Sequence, residues 1–167
     1  MTTYQFEAQL RKGEAYEAVL DNFFREKFDI QSVQMCDQRR GIDRIFTSKK
    51  NGSILKIEYK ADSKAAQTGN AFIETVSVDT QQKPGWAVYS EADYLIYYIP
   101  PLLTGYVIQM DRLKGKVDLW KERHVTRSIP NRGYNTIGVL VPLREFEQLA
   151  ITVISPLSAS DWRKENP

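Results

Sequence analysis

The chain has 167 residues, 42% of them hydrophobic and 11% aromatic, enough to bury the core of one domain and too apolar for a disordered chain. A single cysteine, Cys36, excludes an intrachain disulfide framework, and a single histidine, His124, excludes a zinc site built from four Cys or His ligands. The formal net charge of +2 excludes no class of partner.

The first element is predicted as a helix: Tyr16, Val19, Leu20, Phe23, Phe24 and Phe28 form one apolar stripe, with Phe6 and Leu10 on a preceding turn near Gly13. Val33 to Asp37 and Ile42 to Ser48 read as short strands, Cys36 being a small core residue on the first. Lys49-Lys50-Asn51-Gly52-Ser53 is a turn leading into a third strand, Ile54 to Lys60, since Asn-Gly between apolar runs is a strong hairpin signal. Ala71 to Val78 is rich in β-branched residues and reads as extended, and Trp86 to Ala92 as a short helix. Tyr94 to Ile99 is a continuous apolar run stopped by Pro100-Pro101, as expected of a buried strand. Gly105 to Met110 and Thr136 to Val141 follow as strands, Leu143 to Ile151 as a helix, and a loose polar tail begins at about Ser155. This order describes an α/β fold, one mixed central sheet flanked by helices, in a single domain over residues 1–167.

The hairpin carries the chemistry. With Asn51 and Gly52 as the central turn residues, Asp43 lies opposite Lys60 and Ile45 opposite Glu58, and the period of two places Asp43, Glu58 and Lys60 on one face. Ile42, Phe46, Leu55, Ile57 and Tyr59 share the other face, interrupted by Arg44. In this register Asp43 and Glu58 are diagonal neighbours, ~7–8 Å apart at the backbone, within reach of one cation. Two carboxylates on a hard divalent ion beside an ammonium suit phosphoryl transfer. The bland alternative is a solvated Asp–Lys cross-strand pair. Asp62-Ser63-Lys64 repeats the D-x-K pattern in a polar loop.

Gly41-Ile42-Asp43, with Glu58-Tyr59-Lys60 on the next strand, resembles the PD-(D/E)XK nuclease superfamily, with Ile42 where the motif's name has proline. Gly13 to Glu17 is similar to that superfamily's first helix. Gly69 to Glu74, Gly85-Trp86 and Ala92-Asp93-Tyr94 are similar to what small phage, restriction and homing-type members show downstream. The resemblance covers residues 10 to 100 and implies a restriction-endonuclease-like αβββαβ core acting as a Mg²⁺-dependent DNA endonuclease, with Mn²⁺ as a possible substitute. It implies Asp43, Glu58 and the Tyr59 carbonyl as metal ligands, and Lys60 orienting or activating the attacking water. Glu17 would add a ligand or hold a metal-bound water; its alternative is a solvated helix-rim residue. Glu74 is read as a non-ligand unless its strand joins the sheet beside Glu58. A competing function is a DNA-binding module on the same fold that no longer cleaves.

The charge distribution agrees with a nucleic-acid partner. Arg39 to Lys64 holds eight basic residues against three acidic, and Arg112 to Arg132 seven against two, leaving −8 on the remainder. A local basic footprint of this kind suits a phosphate backbone; the alternative is a pair of solvated, lysine-rich loops. Arg39, Arg40, Arg44, Lys114, Lys116 and Lys121 are the expected contacts to double-stranded DNA, the last three on a surface loop that also carries His124 and Trp120. Trp86 and Trp162 read as packing residues. Cutting both strands would call for a homodimer or higher symmetric oligomer. No apolar run approaches the ~20 residues of a membrane span, and Met1 to Tyr4 opens no signal peptide, so a cytoplasmic location and no membrane partner are expected.

Overall fold

The structure, a computed structural model, describes residues 3–155, with side chains from Lys12 onward. Phe6, Leu10, Trp162 and the polar tail lie outside the described side chains. A six-stranded mixed sheet forms the centre. Its strands are β1 (Phe28–Ser32), β2 (Arg44–Ser48), β3 (Ile54–Ala61), β6 (Tyr94–Ile99), β7 (Thr104–Gln109) and β10 (Ala150–Ile154), in that spatial order. Only β3 and β6 run parallel. Between them the chain crosses over through α3 (Ala65–Thr68), β4 (Asn70–Val78), β5 (Lys83–Pro84) and α4 (Trp86–Tyr89).

The expected mixed α/β sheet is therefore present, and a second sheet accompanies it. β4 pairs with β9 (Asn135–Pro142), which pairs with β8 (Thr126–Pro130), giving the antiparallel order β5-β4-β9-β8. Two apolar clusters follow. One lies under α1 (Thr3–Phe24), where Leu20, with Tyr16, Val19 and Phe24, meets Phe46, Ile57, Tyr59, Ile96 and Tyr98. The other joins Leu95, Tyr97 and Ile99 to Ile73, Val139 and Val141 of the second sheet, and to α5 (Met110–Arg123) and α6 (Leu143–Glu147). β6 is apolar at every position because alternate residues serve opposite clusters.

Several expected elements shift. α1 ends at Phe24, and Phe28 starts β1, where the alternation Phe28-x-Ile30 faces inward. Val33 to Asp37 is not a strand: Met35–Gln38 forms a helical turn, α2, with Met35 and Cys36 exposed. The expected loop after Arg112 is helix α5, held by Met110, Leu113, Val117 and Trp120, all buried at helical spacing. α6 is a short turn, and its expected continuation is the edge strand β10. No helix among the described residues is long and apolar enough to cross a membrane.

The β2–β3 hairpin closes two residues earlier than expected. Arg44 faces Ile57 and Thr47 faces Ile54, with a loop from Lys49 to Gly52 in which Gly52 N–H donates to the Ser48 carbonyl, 2.8 Å. Gly52 takes φ +71°, as a glycine tolerates. Because the shift is even, every side chain keeps its face.

Candidate active site

The realigned hairpin brings Asp43 level with Glu58 rather than Lys60. Asp43 N–H donates to the Ile57 carbonyl at 2.8 Å, and Tyr59 N–H donates to Asp43 Oδ2 at 2.8 Å. The Asp43 carboxylate is thus pinned to the strand bearing Glu58 and Lys60. Residues two apart in a strand turn their backbone groups to the same neighbour. The Tyr59 carbonyl therefore faces as Ile57's does, toward the start of β2. The Tyr59 ring lies on the opposite face, where its hydroxyl donates to Asp21 Oδ1, 3.0 Å.

The segment leading into Asp43 is clamped from behind. Gly41 has φ +69°, and a Cβ there would meet Ser90 Cα at 2.8 Å. The buried Ser90 hydroxyl donates to the Gly41 carbonyl at 2.7 Å, and Lys114 Nζ donates to the Ser90 carbonyl at 2.6 Å. Gly41 is thus required both for its left-handed backbone and for the close approach of Ser90.

Glu58 is 1% exposed. One of its oxygens lies 2.5 Å from Lys60 Nζ, and the other, Oε2, is buried with no hydrogen-bond partner among the described residues. Burial raises the Glu58 carboxyl above the ordinary carboxylate range, against the pull of Lys60, and the neighbouring Asp43 charge adds to the rise. Burial lowers the Lys60 ammonium, but Glu58 and Asp43 outweigh it and hold the group above its usual value.

Glu74 reaches this environment from the second sheet. β4 does not join the sheet of β3, so the condition set for Glu74 fails, yet the crossover lays its carboxylate over the same face. It shares a cleft wall with Lys60, and Lys60 is the charge that most opposes the burial-driven rise of its pKa. A Cβ on Gly85 would clash with the Glu74 carbonyl, so the backbone approach depends on glycine; Trp86 N–H, next in chain, points at Glu74 Oε1 at 3.4 Å. Tyr89 of α4 lines the same cleft, its hydroxyl raised first by burial and then by the Glu58 charge. Tyr89 is absent from the sequence reading because no spacing ties it to β3; only the crossover brings it there.

Other expected site residues lie elsewhere. Glu17 is not with the trio: it pairs with Arg44 at 2.8 Å under α1, on the opposite face of the sheet. Arg44 also binds Asp21 at 3.1 Å and its side chain is 12% exposed, so it fastens α1 to β2. Lys114 is committed to Ser90. Arg40 pairs with Glu91 and Asp37, Lys121 with Asp118, and Arg39 leans on the Met35 sulfur. Lys116 faces a groove between α5 and α6. Trp120 Nε1–H donates to Glu145 Oε1 at 2.7 Å, and His124 Nε2 meets Glu145 Oε2 at 2.8 Å, so both belong to packing. The competing Asp62 is also structural. Its Oδ1 accepts from the N–H groups of Lys64 and Ala65 at the start of α3, and its Oδ2 from the Tyr97 hydroxyl at 2.6 Å.

Among the described residues no three His, Cys, Asp or Glu side chains gather closely enough to cage a metal ion by themselves. Asp43 and Glu58 nonetheless fit a cation: an unpartnered buried carboxylate oxygen is costly unless a positive charge or donor arrives. Mg²⁺ is commonly held by one or two carboxylates, with water and substrate phosphate completing its shell. The donor set suits that ion better than a metal needing a full protein cage.

No family model matches the chain, and no curated protein matches it. Among solved structures it is similar to a bacterial homing endonuclease, with TM-score 0.44 and 18% identity over 68% of this chain and 74% of that one. The functional reading rests on the geometry of the chain's own side chains.

Proposed function

We propose that the chain is a Mg²⁺-dependent DNA endonuclease that hydrolyses phosphodiester bonds with a metal-activated water. The observation that carries this reading is the buried Glu58 carboxylate, with one oxygen on Lys60 and the other unpartnered, level with Asp43 on the same face. Asp43, Glu58 and the Tyr59 carbonyl would hold the ion. When bound, it would polarise the scissile phosphate and lower the pKa of a coordinated water.

The protein's own groups do the rest. Asp43, fixed by the Tyr59 N–H, and Glu58, fixed by Lys60, keep two anionic oxygens oriented without reorganisation. Lys60, its side chain one-third exposed, reaches from Glu58 toward solvent and donates to a phosphate oxygen or to the attacking water. Double-strand scission calls for two copies of this single site, hence a homodimer or higher symmetric assembly on double-stranded DNA.

The test is incubation of purified protein with supercoiled plasmid and Mg²⁺, Mn²⁺ or no metal. Metal-dependent nicking, lost in Asp43→Ala and Lys60→Ala, is the expected result. Nicking that persists in both variants removes the assignment. DNA binding without nicking under any metal would leave the non-cleaving module in its place.

A further inference from the structure

The cations expected to meet DNA are mostly committed within the protein, which raises the question of which ones remain free. Beside the catalytic face, between the two sheets, lies a cleft of about 470 Å³ that Lys60, Glu74 and Tyr89 share with Lys64, Asn70 and Arg127. Lys64 opens α3 and Arg127 sits on β8, every residue of which is exposed. Among the described residues neither the Lys64 ammonium nor the Arg127 guanidinium has an ion-pair or hydrogen-bond partner. The two acids on the cleft wall do not cancel them. Asp62 is turned inward to Tyr97 and the α3 backbone, and Glu74 Oε1 is turned to the Trp86 N–H at 3.4 Å.

We propose that this cleft is the phosphate track of the substrate strand, with Lys64 and Arg127 binding the backbone phosphates next to the one over Lys60. This rests on the nuclease reading and moves its DNA contacts from Arg44 and Lys114 to residues outside the expected set. Three features support it. The track begins at Lys60, so a strand lying in it has a phosphate already delivered to Asp43 and Glu58. Its size admits a sugar–phosphate unit or two and excludes a duplex, so the double helix lies across the mouth with one strand's edge inserted. Its free cations come from two different elements, α3 and β8, whose spacing the second sheet fixes; phosphate contacts of this kind set register.

A rival surface exists. Arg112, Lys116, Arg123 and Arg144 ring a shallow groove of about 640 Å³ between α5 and α6 and also lack partners among the described residues. None of Asp43, Glu58, Lys60 or Glu74 lines it. The two surfaces make different predictions.

The experiment measures binding of a fluorescent mixed-sequence DNA duplex by anisotropy across a salt series, with Ca²⁺ replacing Mg²⁺ to suppress cleavage. The wild type is compared with Lys64→Ala/Arg127→Ala and with Lys116→Ala/Arg123→Ala. All four side chains lack partners, so thermal melting should show both variants as folded as the wild type. The first pair should weaken binding by about tenfold and flatten the salt slope by about 2, since each phosphate contact contributes ~0.9. The second pair should leave the slope unchanged. An unchanged slope in the first pair, or the loss appearing in the second, overturns the track while leaving the nuclease reading intact. A wild type that binds no DNA removes both readings together.

Discussion

At the scale of single residues, the candidate site holds buried charge that costs stability. Glu74 is held above its ordinary pKa by burial, so its charged form opposes folding. A carboxyl with a raised folded pKa loses stability as pH rises through that value and costs nothing once both states are protonated. Glu74→Gln keeps the shape and removes the charge. It should raise the Tm near neutral pH, with the gain shrinking as pH falls into the carboxylate range, measured by thermal melting at several pH values. A gain constant with pH would mean that packing, rather than ionisation, is responsible. Asp79 behaves oppositely. Donation from the Asn135 backbone and side-chain amides lowers its pKa. Its contribution is present above the ordinary Asp pKa and lost as pH falls through the lowered one, so Asp79→Ala should matter at neutral pH and vanish in acid. At Gly41, alanine would meet both a positive φ and the Ser90 backbone at 2.8 Å. That strain should cost about 2 kcal/mol and, by moving Asp43, lower nicking more than binding.

At the scale of elements, what could be read from the sequence depended on how local the determinants were. Tyr94 to Ile99 was legible as a buried strand because six apolar residues end at two prolines. The shared face of Asp43, Glu58 and Lys60 was legible because the period of two survives an even register shift. The register itself was not, since the choice between a two-residue turn at Asn51-Gly52 and the longer loop lies in a few backbone angles. Helix α5 was obscured by Gly115 and its many cations, although Met110, Leu113, Val117 and Trp120 carried the periodic signal. The placement of Glu74 beside Lys60 was not legible because β4 pairs with β9, some 65 positions later, and no local pattern announces such a partner. Arg44 shows the same limit: its charge suggested a phosphate, while its strand face put it under α1. Arg44→Ala should leave the Asp21 carboxylate, 18% exposed, with the Tyr59 hydroxyl but without its cation, and cost about 2 kcal/mol, visible in urea melts. The DNA salt slope should stay unchanged; a flatter slope would restore Arg44 as a phosphate contact.

At the scale of the whole molecule, the two apolar clusters raise the question of whether the chain folds as one unit. They are separated by the six-stranded sheet, yet they are not independent. β6 supplies Leu95, Tyr97 and Ile99 to one and Ile96 and Tyr98 to the other, all at most 3% exposed. Losing either cluster strips one face from the same strand, so partial unfolding would expose the most apolar segment of the chain to water. The cost of that exposure, ~25 cal/mol per Å² of apolar surface, favours a single cooperative transition. Leu20→Ala tests the α1 side and Phe146→Ala the other, each removing a side chain at most 2% exposed and each expected to cost ~2–5 kcal/mol. Trp86 and Trp120 both sit in the second cluster, so tryptophan fluorescence reports chiefly on that side while far-ultraviolet circular dichroism reports on the whole chain. With one cooperative unit, both probes should give coincident denaturation curves in the wild type, and each substitution should shift both curves together. If Leu20→Ala moved the dichroism curve and left the fluorescence curve in place, the clusters would be separate folding units. The candidate site, with Glu58 on one sheet and the neighbouring Glu74 on the other, would then be assembled across a weak joint.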